Sequence, residues 1–65
     1  MYYTIVGYHP VTDKEVKEDA VSRPSMLSKA RKFEAQGLVD IQVFHNSDEF
    51  EETKTYDYKQ GKLTA

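Results

Sequence analysis

At 65 residues, with a net charge of -2 and no cysteine, the chain has room for one domain and for neither a disulfide nor a thiolate metal site, which suits a reducing compartment. Hydrophobic residues at 38% and charged residues at 31% make a globular mixture whose net charge is too small to imply a nucleic-acid or membrane partner. So short a chain buries only about 60% of the surface it exposes when unfolded, and its stability is marginal.

The start, Met1-Tyr2-Tyr3-Thr4-Ile5, has no basic segment and no long apolar run, so neither a signal peptide nor a membrane span is expected, and the expected location is the cytoplasm. Tyr2 to Tyr8 is aromatic and β-branched and stops at His9-Pro10, which predicts a strand. A period of two places Tyr3, Ile5 and Gly7 on one face and Tyr2, Thr4, Val6 and Tyr8 on the other. Pro10 to Lys14 suits a turn, and Glu15 to Val21 is a candidate second strand. Val16, Ala20 and Val21 do not keep a period of two, and the charges between them suggest an edge position, where they discourage pairing with other chains.

Ser22 to Gly37 predicts a helix. Ser22 or Ser25 can accept from the free amides of the first turn, and Pro24 fits there because its missing N–H would have no partner. Met26, Ala30 and Phe33 form an apolar stripe with Leu27 at its edge, opposite Lys29, Arg31, Lys32 and Gln36. Gly37 supplies a left-handed stop, and Leu38 is placed to reach back to Phe33 in a Schellman ending. Val39, Ile41 and Val43 then alternate with Asp40, Gln42 and Phe44 as a strand with its first set on the helix. His45 to Asp48 reads as a turn, Phe50 to Tyr58 as a last strand, and residues 61–65 as a loose tail.

The order strand, strand, helix, strand, strand predicts an α+β domain over residues 1–60, with one helix on one face of a three- to four-stranded, mostly antiparallel sheet. This order resembles the β-grasp arrangement of ubiquitin and of small bacterial immunoglobulin-binding domains. The resemblance lies in the order of elements and in no functional motif, so it implies no binding residue. A β-grasp sets the first and last strands side by side at the centre of the sheet. Here the third strand is the more apolar of the last two, which favours the order 2-1-3-4 instead, and patterning leaves both open.

Chemistry is sparse. Gly7, Gly37 and Gly61 are too scattered for a phosphate loop, and His9 and His45 have no metal-ligand spacing or nucleophile around them, so no catalytic residue, metal or cofactor is expected and the chain is not expected to be an enzyme. Three features remain as candidate binding surfaces. Tyr2, Val6 and Tyr8, with Phe44, would occupy the sheet face away from the helix, either as a partner site or as a half-buried second layer. Asp48, Glu49, Glu51 and Glu52 form an acidic turn, either merely solvated or docking on a basic partner. Arg23, Lys29, Arg31 and Lys32 form a basic helix face that could hold phosphates if the tyrosines stacked on single-stranded nucleic acid. The leading expectation is a non-enzymatic protein-interaction module: an accessory, regulatory or inhibitor protein of the kind phages and mobile elements encode. The alternatives are a single-strand nucleic-acid binder and a homodimer joined through open faces or edge strands.

Overall fold

The computed structural model describes residues 1–49 and 52–64. It contains β1 (Tyr2–Tyr8), β2 (Glu15–Ala20), α1 (Arg23–Ala35), β3 (Val39–Ser47), β4 (Glu52–Asp57) and β5 (Lys62–Thr64). The strands form one antiparallel sheet in the order β2-β1-β3-β4-β5. The α+β class holds, with α1 packed on one face over β1, β2 and β3. The strand count does not: five strands replace the expected three to four. The tail expected to be loose supplies β5, in which Leu63 stands opposite Tyr56 and Thr64 opposite Thr55. The order extends 2-1-3-4 and departs from a β-grasp, since β1 lies beside β3 rather than beside β4.

Ser22 is the N-cap, its hydroxyl accepting from the Ser25 amide at 3.3 Å, with Pro24 in the first turn. At the far end the Leu38 amide donates to the Phe33 carbonyl at 3.1 Å and the Gly37 amide to the Glu34 carbonyl at 3.0 Å, the two bonds of a Schellman ending, with Gly37 at φ 81°. The stripe of Met26, Ala30 and Phe33 is buried against Tyr3, Ile5, Ala20, Val43 and Tyr56. Gly7 lies directly beneath it. A Cβ there would sit 3.1 Å from Phe33 Cδ2 and 3.3 Å from Leu38 Cβ, so only a residue without a side chain lets the helix end settle this close.

Two elements differ from expectation for physical reasons. In β2 a period of two is kept: Val16, Glu18 and Ala20 face the helix, and Glu15, Lys17 and Asp19 are exposed. Glu18 hides that period, because a carboxylate occupies an inward position by pairing with Lys32 at 2.8 Å and Lys29 at 3.8 Å from the helix. In β3 the pairing slips between Val6, opposite Gln42, and Tyr8, opposite Val39. Asp40 adopts φ 52° within this bulge. The slip carries Val39 off the helix side to a place beside Tyr8, 43% exposed, whereas Ile41 and Val43 keep their expected inward positions. β3 also runs on through His45, Asn46 and Ser47, which were expected to turn.

Candidate interaction surface

Strand parity and the pairing register fix what lies on the face that α1 leaves uncovered. β1 contributes Tyr2, Thr4, Val6 and Tyr8, flanked by Glu15, Lys17 and Asp19 of β2 and by Gln42, Phe44 and Asn46 of β3, with Thr53 beyond. Together these residues line a shallow concavity of about 530 Å³. The rings of Tyr2, Tyr8 and Phe44 are half-buried, so each keeps part of its surface in water. Val6, expected as a contact, is 8% exposed and forms the floor between them.

A polar chain crosses this face over four strands. Thr53 Oγ1 donates to Asn46 Oδ1 at 2.9 Å, Asn46 Nδ2 donates to Thr4 Oγ1 at 2.9 Å, and Thr4 Oγ1 donates to Asp19 Oδ1 at 3.0 Å. Every bond runs in the same direction and the last ends on a carboxylate, the arrangement in which successive bonds polarise one another. It satisfies Thr4, which is 8% exposed, and fixes the Asn46 amide between the aromatic rings. Thr4, Asp19, Asn46 and Thr53 were not among the sequence candidates. The parity of Thr4 with Tyr2 and Val6 was legible, but the link to Asn46 required knowing that β3 continues past Phe44.

The acidic turn divides. Asp48 accepts from the Met1 ammonium at 3.0 Å, Glu49 is exposed, and Glu52 lies 3.9 Å from Lys54 Nζ. Glu51 and the expected strand start at Phe50 lie outside the described residues. The basic helix face is largely engaged. Lys32 and Lys29 hold Glu18, Lys29 Nζ also donates to the Asp19 carbonyl, and Arg23 donates to the Gly61 carbonyl at 3.2 Å. The hydrogen bond from Lys32, helped by the charges of Lys32 and Lys29 against a smaller effect of burial, holds the Glu18 carboxyl below its usual range. Among the described residues Arg31 has no such partner. These cations sit on the helix side and the half-exposed rings on the opposite side of the sheet. On the ring-bearing side it is Lys17 of β2, rather than Lys29 or Lys32, that lines the concavity.

A second concavity of about 520 Å³ lies near the helix end, where Tyr58 meets Glu34, Leu38, Asp40 and Asp57. The Tyr58 hydroxyl donates to Glu34 Oε1 at 2.7 Å; burial first, then this bond and the charges of Glu34 and Asp57, push it up to about 12. That keeps the hydroxyl protonated and occupied, which fits a tie between helix and sheet better than a reacting group. Among the described residues no group of three or more His, Cys, Asp or Glu could hold a metal, and no helix is long and apolar enough to cross a membrane. No protein-family model matches the chain, and no curated protein or solved structure shows a significant likeness to it.

Proposed function

We propose that the chain is a small non-enzymatic interaction module that binds a partner protein through the uncovered sheet face, with Tyr2, Tyr8 and Phe44 as its contact rings, Asp48 and Glu52 beside Tyr2, and Glu49 next to them in the acidic turn. Accessory, regulatory and inhibitor roles in the cytoplasm, such as small phage and mobile-element proteins fill, all fit a module of this kind. The observation that carries the proposal is the placement of three half-exposed aromatic rings around one concavity on the side without a helix. Tyrosine supplies large contact area with few rotatable bonds, and the polar chain through Asn46 offers directional hydrogen bonding beside the rings. The test is capture from the native host lysate with tagged wild type and with a Tyr2→Ser/Tyr8→Ser variant. The wild type is expected to retain a defined partner that the variant loses while keeping its melting temperature to within a few degrees. Equal retention by both would remove this face from the binding site.

A further inference from the structure

Among the described residues the sheet has two free edges: β5, three residues long, and β2, six residues long. The His9 amide donates to the Lys14 carbonyl at 2.9 Å, and the β1–β2 register continues directly from that pair. Bonded pairs alternate along an antiparallel ladder, so Val16, Glu18 and Ala20 direct their backbone groups to β1, and Glu15, Lys17 and Asp19 direct theirs to the open edge. Lys29 Nζ already holds the outward carbonyl of Asp19. The free groups are therefore concentrated at Glu15 and Lys17.

The side chains on that stretch are partly self-complementary. Glu15, Lys17 and Asp19 read minus, plus, minus along one face. A second copy laid antiparallel without a shift would set Lys17 against Lys17 and Glu15 against Asp19, which like charges forbid. A shift by one residue would set outward backbone groups against inward ones. A shift by two places Glu15 opposite Lys17 of the second copy, and by symmetry Lys17 opposite its Glu15. The same shift sets Lys14 opposite Glu18 and Val16 opposite Val16 at the two-fold axis. Pairing then ends where Lys29 has capped the edge. The shift of two in the other direction sets Glu18 against Glu18 and needs the Asp19 carbonyl that Lys29 occupies.

We infer that β2 is a self-association edge, joining two copies of the chain antiparallel in the register centred on Val16, as a continuous sheet with both helices on one side. The joint is short, so the dimer is weak and belongs to concentrated protein. It is told apart from the partner face by forming in the purified chain alone, although Glu15 and Lys17 also line the concavity of that face.

The test is sedimentation equilibrium of the purified chain up to about 1 mM, with charge variants and a cysteine probe. Glu15 and Lys17 are exposed and make no side-chain bond or ion pair among the described residues, so Glu15→Lys and Lys17→Glu are expected to fold as the wild type does. Each variant alone is expected to dimerise about tenfold more weakly, since both cross-strand pairs become repulsive. An equimolar mixture of the two restores the dimer, because both pairs in the mixed species are again opposite in sign. Val16→Cys, carrying the chain's one thiol, is expected to cross-link on mild oxidation, and Glu18→Cys is not. A wild type that stays monomeric at the highest concentration, single variants that dimerise as it does, or a mixture that fails to recover would each overturn the inference. Faster cross-linking of Glu18→Cys would overturn the register.

Discussion

Gly7 is the residue on which the packing of the helix end depends. An added methyl would press on Phe33, which is fully buried, and on Leu38, which closes the helix, and both would have to shift. Gly7→Ala is expected to cost about 1–3 kcal/mol, a large part of the roughly 3–10 kcal/mol that a chain of this length commands. A urea midpoint unchanged from wild type would show that Phe33 and Leu38 can yield. Tyr58 gives a second prediction, through pH. Tyrosine in an unfolded chain ionises near 10, and in the fold near 12, so the folded state favours the neutral hydroxyl. Its contribution is complete below pH 10 and is lost as pH rises toward 12. The difference in stability between wild type and Tyr58→Phe is therefore expected to shrink over that window and to stay flat between pH 7 and 9. Glu18 acts in the opposite sense: its lowered carboxyl stabilises the fold at neutral pH, and that contribution fades as the solution is acidified through its folded pKa.

Among the elements, α1 was legible nearly in full because its signals are local. Ser22, Pro24, Gly37 and the Met26–Ala30–Phe33 stripe each act within one or two turns of the chain. The strands were legible in parity and less so in extent. Asn46 is unfavourable in a strand by composition alone, yet it belongs to β3 because Thr4 and Thr53 on the neighbouring strands satisfy its amide. Asn46→Ala is expected to cost about 1–3 kcal/mol by leaving the Thr4 hydroxyl short of a partner, and to loosen the uncovered face without disturbing the helix. Hydrogen exchange would check this, with faster exchange in β3 and β4 and unchanged protection in α1. β2 teaches the converse lesson. Its inward Glu18 breaks the apolar alternation, and the break is tolerated because Lys29 and Lys32 of the helix reach over the sheet edge to meet it.

At the scale of the whole molecule, one helix shields three of five strands on one side and, among the described residues, nothing shields the other side, so a 65-residue chain is left with a half-exposed aromatic layer and one long edge. The protein partner proposed for the face and the second copy inferred for the edge adjoin at Glu15 and Lys17, and the Tyr2→Ser/Tyr8→Ser capture and the β2 charge exchange separate them. The five tyrosines are also better accounted for than composition suggests: Tyr3 and Tyr56 pack edge to face in the core at 5.5 Å, Tyr58 hydrogen-bonds to Glu34 of the helix, and Tyr2 and Tyr8 lie half-buried on the uncovered face. The sequence by itself determined the α+β class, the caps and inner stripe of the helix, and the two faces of β1, because these follow from backbone preference and periodicity within a few residues. Only the tertiary structure decided the place of β3 beside β1, the bulge that turns Val39 outward, the pairing of β5 and the polar chain from Thr53 to Asp19. Each of those depends on which distant residue supplies the missing hydrogen bond or opposite charge, and no local pattern carries that information.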